Sequence, residues 1–329
     1  MKHLVLTTSL SGETIRPSDA LHRFHSAATR DARALLPDLA SIDCPACGGG
    51  SVPAFERDGF AYRECSDCES VFTSPRPTAA AVSRFYEDTE AGRLRVEYFQ
   101  AAGRERMENV VRPRLDWVAN YVVGARPDGV RLVDLGGVYP GFLAEALKQG
   151  IASECHAVDV PGALRADARA AGARVESELK PASADVVTAF EQLEHQAHPG
   201  GFLTRARTFL KPGGWLFGTT RTISGFDLQV LWDKAPYVFV PEHMNLLSVE
   251  GLHRILATTG FEVIELSTPG QLDVELVEQS ARDSGVDLPR FLRYLFRHRG
   301  DHCRSDLQEL LQRHRLSSHV RIAARVASE

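Results

Sequence analysis

The stretch Val130-Arg131-Leu132-Val133-Asp134-Leu135-Gly136-Gly137-Val138-Tyr139-Pro140-Gly141 decides the fold. A short apolar run ends in two glycines, and an apolar pattern of helical period follows over 142–148 and stops at Gly150. A buried strand that turns through glycines into a helix is typical of sheets whose parallel strands are joined by helices.

The same alternation continues towards the carboxyl end of the chain. Further strands are predicted at 155–160, 184–190, 215–220, 261–266 and 319–326. Helices are predicted between them, at 163–171, at 202–210 and between the cap Ser248 and Gly260, and a mostly helical insert is predicted at about 272–316. Because strands separated by helix-length segments close as right-handed parallel crossovers, we predict a doubly wound α/β domain.

Length and composition exclude several classes of protein. The chain has 329 residues, of which 43% are hydrophobic and 25% charged, and this balance is typical of a globular protein of about two domains. No apolar run is long enough for a membrane span, and the first residues lack the apolar core of a secretory signal, so we expect a cytoplasmic protein without a membrane partner. A net charge of -5 argues against a dedicated nucleic-acid binder.

Four of the six cysteines form two C-x2-C pairs, Cys44 with Cys47 and Cys65 with Cys68, separated by 17 residues. This spacing predicts a closed tetrahedral site in which four thiolates hold a structural zinc ion. An iron–sulfur centre is the main alternative. Two disulfides are disfavoured in a cytoplasmic protein.

These features divide the chain into three parts. We predict an N-terminal region with the zinc ribbon at 1–78, a helical linker at 79–128 and the α/β domain at 129–329. Within the linker, Pro113 should start a new helix or bend the existing one.

Ligands of doubly wound sheets bind beyond the carboxyl ends of the strands, where the strand order reverses. The informative turns therefore follow Asp134, Asp159 and Phe190. Glycines after Asp134 let the backbone approach a ligand. Asp159 stands where a carboxylate can accept both ribose hydroxyls of an adenosine, although it could equally cap a helix.

At this point the chain resembles the class I S-adenosylmethionine-dependent methyltransferases, over about residues 104–329. Four segments in order carry the resemblance: 132–137, Asp159, the segment 185–195 with Pro199 after it, and the turn Lys211-Pro212-Gly213-Gly214. The resemblance implies a seven-stranded Rossmann-like sheet, an antiparallel closing strand pair and S-adenosylmethionine as cofactor. The residues expected at the cofactor are Asp134, Gly136, Gly137, Gly141, Asp159 and Phe190.

The region before this domain adds a second likeness. The cysteine ribbon, followed by Ser74-Pro75-Arg76-Pro77 and Phe85-Tyr86, resembles the bacterial subset of the family that modifies sugars and other small metabolites. A small-molecule acceptor is the partner that this likeness implies.

The glycine loop departs from the family pattern D-x-G-x-G-x-G. Val138 occupies the position of the middle glycine, and Gly141 falls one residue late behind Pro140. Backbone contacts from Gly136 and Gly137 survive such a change, and a weakened cofactor site is the alternative. A dinucleotide site is disfavoured because the chain lacks G-x-G-x-x-G at this turn.

A hydroxyl or carbon acceptor needs a base, and histidine suits that role near neutral pH. The resemblance places His195 and His243 at the substrate cleft, and His243 is our first candidate, with Glu242 as the group that orients it. An aromatic segment from Phe226 to Phe239 could cover a substrate as a lid. Structural roles, in which either histidine only ties its loop to the fold, are the alternative.

The leading hypothesis is an S-adenosylmethionine-dependent methyltransferase that acts on a small polar acceptor, such as a nucleotide-linked sugar or a natural-product intermediate. RNA methylation is a second hypothesis, because zinc ribbons also precede methyltransferase domains that modify RNA. A third is a non-catalytic scaffold that keeps the fold without cofactor affinity.

Overall fold

The computed structural model describes residues 19–101, 103–122, 124, 128–137, 139–236 and 238–327. Predictions that concern residues 1–18, Val138 and Tyr237 lie outside the described residues. Of the helices that the structure describes, none combines the length and the apolar character that a membrane span requires.

The N-terminal part combines a helix with a small antiparallel sheet. Its elements are α1 Asp19–Asp31, a 3-10 turn Ala32–Leu35, β1 Leu39–Ala40, β2 Ser51–Arg57, β3 Phe60–Cys65, β4 Val71–Thr73 and β5 Arg76–Pro77. Strands β2, β3 and β4 pair in sequence order, and each C-x2-C pair lies in a tight turn at the end of this sheet.

Helices then lead to the main sheet. They are α2 Ala79–Asp88, α3 Glu90–Ala101, α4 Gly103–Arg106, a π-helical turn Met107–Val111 and α5 Arg112–Val122. Thr78 caps α2 by accepting a hydrogen bond from the backbone N–H of Ala81. Pro113 is the second residue of α5 and follows the π-helical turn without a break in the helical backbone, so it starts no separate helix. The change in hydrogen-bond pattern at the π-helical turn lies directly before it.

The first half of the main domain alternates strands with helices. It contains β6 Val130–Leu135, α6 Pro140–Lys148, β7 Ala152–Val158, α7 Arg165–Ala170, β8 Arg174–Glu176, β9 Ala184–Phe190 and α8 Pro199–Phe209. The second half contains β10 Leu210–Arg221, α9 Phe226–Leu231, β11 Asn245–Leu246, α10 Val249–Thr258, β12 Phe261–Ser267, α11 Asp273–Ser284, α12 Arg290–His298, α13 Asp301–Arg313 and β13 His319–Val326.

The main sheet has seven strands in the order β12-β13-β10-β9-β6-β7-β8. Strands β6 to β10 are mutually parallel, and β13 is antiparallel to both β10 and β12. The doubly wound sheet and its antiparallel closing pair are thus confirmed, and the strand order reverses between β6 and β9. The segment predicted as a turn at 211–214 lies inside β10, at a shift in pairing register between Leu210 and Trp215.

The cysteine ribbon is part of the same packed body. Strand β11 of the main domain pairs with β4 and extends the ribbon sheet to four strands. Cys44, Cys65, Cys68 and Phe72 share one buried apolar cluster with residues of the main sheet and of α10. The predicted boundary at 78 falls between β5 and α2, and the two sides of it bury apolar surface against each other.

Candidate functional site

The four predicted metal ligands come together at the ribbon. The Sγ atoms of Cys44, Cys47, Cys65 and Cys68 all lie within 4.8 Å of one another. Individual Sγ to Sγ distances are 3.4 Å for Cys47 with Cys65 and 3.6 Å for Cys44 with Cys68. These values are close to the edge of about 3.8 Å that a tetrahedron with metal–sulfur bonds of about 2.3 Å requires, and they are too long for disulfides. The donor set fits a tetrahedral thiophilic ion.

The glycine loop forms the first wall of the cofactor side of the main sheet. Gly136 and Gly137 have φ values of 101° and 55°, which favour glycine. A Cβ atom at Gly136 would lie 2.5 Å from the side chain of Gln192, and one at Gly137 would lie 2.5 Å from Val160. The loop therefore needs glycine at both positions, because the backbone turns in close contact with its neighbours.

Asp159 follows β7 directly and sits at the carboxyl edge, as expected. Its carboxylate is 45% exposed and pairs with the guanidinium of Arg205 from α8. Arg205 also donates to the backbone oxygen of Ser177. Asp159 is thus held by a basic partner at the mouth of a cavity rather than as a helix cap.

A cavity of about 440 Å³, the cofactor-side cavity, opens between the glycine loop and α2. Its polar lining is Tyr86, Arg95, Gly136, Asp159, Gln192 and His195. Residues from the sheet edge and from the helical linker thus contribute to one site, which is what a cofactor with both polar and apolar parts needs.

Three residues expected at the cofactor lie behind this cavity. Asp134 is 4% exposed and accepts a hydrogen bond of 2.6 Å from the hydroxyl of Thr188, which joins β6 to β9. Phe190 is buried against Phe142, with ring centroids 5.0 Å apart. Gly141 lies on α6, where it lets Met107 pack closely. Asp134 and Phe190 point away from the cavity because side chains alternate between the two faces of a strand. In this structure the three residues shape the loop and the core beneath it.

A second cavity of about 230 Å³, the acceptor-side cavity, lies on the other side of the site. Its polar lining includes Glu191, Arg221, His243 and His319, and its apolar lining includes Leu21, Tyr98, Pro236, Leu272 and Leu276. The insert before β13 therefore contributes a wall through the start of α11.

His195 and His243 stand between the two cavities. His195 lines the cofactor-side cavity and His243 the acceptor-side cavity, and their ring centroids are 6.3 Å apart. Burial lowers the pKa of His195 and lowers that of His243 far more, so both rings are neutral near pH 7. Within the part of the chain that the structure describes, neither Nδ1 atom has a hydrogen-bond partner.

Glu242 faces His195 rather than the neighbouring His243. Its Oε2 atom lies 3.7 Å from Nδ1 of His195, and its Oε1 atom accepts bonds from Arg95 at 2.9 Å and Tyr86 at 2.5 Å. Burial by itself would raise the pKa of Glu242, but the charge of Arg95 and the hydrogen bonds from Tyr86 and Arg95 bring it below the usual value. The expectation that Glu242 orients His243 is corrected, because the turn at 240–243 points the Glu242 carboxylate towards His195, Arg95 and Tyr86.

Two rings of the aromatic segment before His243 pack against the N-terminal part, and the lid role of the segment stays a prediction. Phe239 is 2% exposed and packs on Phe24 of α1, with ring centroids 5.7 Å apart. Trp232 packs edge-on against Phe55 of the ribbon. These rings bury apolar surface against the N-terminal part, and that packing was invisible to a local sequence pattern.

Sequence reasoning missed several polar residues at the site. Glu191 accepts bonds from Arg114 and Thr219, both at 2.7 Å, and stands at the end of β9. Burial, with the charge of Glu191 beside it, raises the pKa of Glu194 well above its usual value. Glu191 lies inside the segment 185–195, which sequence analysis had singled out, so this residue could have been found. Arg95 and Arg114 lie in the linker, where no sequence motif indicated a functional role.

Comparisons with known proteins place the main domain among methyltransferases. A family profile described as a methyltransferase domain matches residues 102–266, which include both glycines, Asp159 and both histidines but not the four cysteines. The ubiquinone biosynthesis O-methyltransferase of Burkholderia vietnamiensis is 30% identical over 172 residues, covering 46% of this chain and 72% of the relative. The protein of that name from Leptothrix cholodnii is 31% identical over 170 residues, covering 46% and 71%.

Among solved structures, phosphoethanolamine N-methyltransferase 2 from Haemonchus contortus is similar with a TM-score of 0.49 and 18% identity. The match covers 79% of this chain and 63% of that one.

Proposed function

The chain belongs to the class I S-adenosylmethionine-dependent methyltransferases, and we propose that it methylates a hydroxyl group of a small polar acceptor held in the acceptor-side cavity. The observation that carries the proposal is the position of the two histidines. His195 and His243 lie 6.3 Å apart between the cofactor-side and acceptor-side cavities, where a proton would leave the acceptor.

Residues of the cofactor-side cavity fit S-adenosylmethionine. Gly136 and Gly137 form a side-chain-free turn, and Asp159 presents a carboxylate for ribose hydroxyls. Arg205 holds that carboxylate in place through the ion pair between them. The cofactor, when bound, supplies a methyl group that is already activated for in-line displacement, so the protein mainly positions the acceptor and removes its proton.

We assign the base role to His195 in preference to His243. A general base works best when a third group stabilises its protonated form, and Glu242 is placed to do this for His195. The pKa of His243 is the more strongly lowered of the two, which makes it the weaker base. His243 then orients the acceptor from the second cavity.

The shape of the acceptor-side cavity supports a small acceptor. Its volume of about 230 Å³ is less than that of most sites for small molecules, about 300 Å³ or more, so only the reacting ring or chain end would be enclosed. Glu191, Arg221 and His319 can bind polar substituents, and Leu272 and Leu276 can contact an apolar face. A nucleotide-linked sugar or a natural-product intermediate would extend outwards, and the O-methyltransferase names of the relatives favour oxygen as the methylated atom.

We also propose that the four cysteines hold one structural zinc ion. All four ligand positions are filled by protein sulfur atoms, which leaves no open position for substrate. Burial raises the pKa of the Cys44 thiol, so the thiolate form requires a bound cation beside it.

The acceptor proposal is tested with methyl-labelled S-adenosylmethionine and a set of hydroxylated sugars, catechols and amines, with total RNA as a further sample. We expect label on a hydroxylated small molecule. Label that appears only on an amine or on RNA would contradict the proposal.

The base assignment is tested on that substrate with His195→Gln. Turnover should fall about 100-fold or more while cofactor affinity changes little, as expected for loss of a general base. His243→Gln should have a smaller effect, mainly on the KM of the acceptor. The exposed His253 of α10 provides the matched control, since His253→Gln should leave both parameters unchanged.

A further inference from the structure

Arg76 is a fully buried arginine at the exit of the ribbon, with 1% of its surface exposed. Its Nε donates to the backbone oxygen of Thr73 at 3.1 Å. Its Nη1 donates to Ala197 at 3.1 Å and to Gln196 at 3.4 Å, and its Nη2 donates to Met244 at 3.3 Å. One planar guanidinium therefore joins the ribbon to the loop after His195 and to the residue after His243.

The two histidine-bearing loops have further bonds to the ribbon and to each other. The hydroxyl of Tyr62 on β3 donates to the backbone oxygen of His243 at 3.0 Å, and the N–H of Thr73 donates to Met244 at 3.0 Å. Asn245 donates from its side chain to the backbone oxygens of Leu193 and Gln196, at 2.8 and 2.7 Å. Arg76 lies at the centre of this set, because its one side chain contacts both loops and the ribbon.

Arg76 has no acidic partner in the described part of the chain. All of its hydrogen-bond acceptors there are neutral carbonyls, and no carboxylate forms an ion pair with it. Its positive charge therefore strengthens hydrogen bonds to four backbone oxygens instead of a single ion pair.

We propose that Arg76 is a positioning residue that fixes the loops of His195 and His243 against the ribbon, so that its guanidinium sets the geometry between the two histidines. This rests on the proposed function for its catalytic meaning, but the mechanical link is independent of any acceptor. Arginine is required because its fork reaches three segments at once, which a single ammonium group cannot do.

The test compares Arg76→Gln with Arg63→Gln in the zinc-loaded full-length chain. Arg63 is a matched control because it also lies on the ribbon but donates only to Ser51 within it. Backbone hydrogen exchange is followed in the peptides that cover 193–197 and 242–248, and the pKa values of ring-labelled His195 and His243 are measured by NMR.

For Arg76→Gln we expect exchange in both peptides to accelerate by about tenfold or more, the change that corresponds to one lost hydrogen bond of ordinary net strength. The histidine pKa values should rise towards 6.5 as water reaches the loops. Zinc content and binding of S-adenosylmethionine should stay within error, and Arg76→Lys should restore only part of the protection.

Unchanged exchange and unchanged histidine pKa values in Arg76→Gln would overturn the proposal, as would an acceleration spread evenly over the chain. If Arg76→Gln does not fold, Tyr62→Phe replaces it, because this change removes only the hydroxyl that holds His243. Tyr62→Phe should accelerate hydrogen exchange in peptide 242–248 and leave peptide 193–197 unchanged. Equal acceleration of the two peptides, or none in either, would contradict the proposed connection between the ribbon and the histidine loops. Failure of the base assignment would appear separately, as full turnover of His195→Gln with the loops still protected.

Discussion

The cysteine ribbon and the carboxyl edge of the main sheet are built in opposite ways. At the ribbon, four sulfur atoms lie within 4.8 Å of one another and three of the four cysteines are buried. At the sheet edge, two cavities of about 440 and 230 Å³ open on either side of two histidines. A metal ion held by all four cysteines would have no free position for a substrate. The proposed reaction is therefore assigned to the carboxyl edge of the sheet, and the ribbon supports that edge through packing and hydrogen bonds.

The two regions also differ in where their residues come from. All ligands of the ribbon lie between Cys44 and Cys68, whereas the edge combines residues from the linker helices, the ends of β6, β7 and β9, and the segment before β11. A local site can form once its metal binds. The sheet edge forms only when the whole sheet has folded. It therefore depends on long-range packing, including its packing against the ribbon.

The largest effect should come from opening the closed site with Cys65→Ser. If the cluster holds zinc, the parent protein should contain about one zinc ion per chain, and the variant should lose folding free energy that is on the order of 10 kcal/mol for a structural zinc site. Metal analysis and thermal melting measure the two quantities. Because β4 pairs with β11, the loss should reach the main domain and lower its melting temperature as well.

The matched control is Cys303→Ser, which changes an isolated and partly exposed thiol of α13. Cys303→Ser should keep both the metal content and the melting temperature of the parent. Iron in place of zinc in the parent protein would indicate an iron–sulfur centre at the ribbon. A metal-free parent whose melting temperature is unchanged by Cys65→Ser would contradict a metal site at the ribbon.

A smaller effect should come from the open site with Asp159→Asn. Calorimetry should show weaker binding of S-adenosylmethionine by roughly 1 to 3 kcal/mol, the cost of leaving ribose hydroxyls without a charged acceptor. Folding should be nearly unaffected, since the carboxylate is 45% exposed. Asp167→Asn on α7 is the control, because Asp167 is exposed and its carboxylate accepts a hydrogen bond from Gln100, away from the glycine loop.

Arg205→Gln sharpens this result. If Arg205 orients Asp159 for the ribose, its loss should weaken binding in the same direction, to a smaller extent. Tighter binding would mean instead that Arg205 competes with the cofactor for the carboxylate, and unchanged affinity in both variants would place the adenosine away from Asp159.

The contrast between the regions also explains what the sequence could predict. The ribbon was readable from spacing alone, because both pairs of ligands are close in the chain. At the edge, the position of Asp159 followed from counting strands. Phe190 is buried against Phe142 and Gly141 packs against Met107, so their predicted contacts with the cofactor stay predictions. The partner of Glu242 was also missed, since a choice between His195 and His243 depends on the direction of side chains in a segment without regular structure.

The last effect separates the regions by their response to pH and concerns Asp134 beneath the glycine loop. Burial raises the pKa of Asp134 to about 7 from an ordinary value of 3.8. A carboxyl whose pKa is higher in the folded state contributes stability that is complete below the unfolded pKa and is lost as the pH rises towards the folded one. Thiolate ligands have the opposite dependence, because acid protonates them and releases the metal.

Asp134→Asn should therefore raise the melting temperature relative to the parent as the pH increases from about 5 to about 8, since the amide keeps an acceptor for Thr188 and carries no charge to bury. The gain should approach about 1.4 kcal/mol for each unit by which the folded and unfolded pKa values differ. Asp116→Asn, an exposed position on α5, should show no such trend. If Asp134→Asn destabilises the protein equally at every pH, the Asp134 carboxyl is ionised in the folded protein and its negative charge is required. That result would contradict a raised pKa for Asp134.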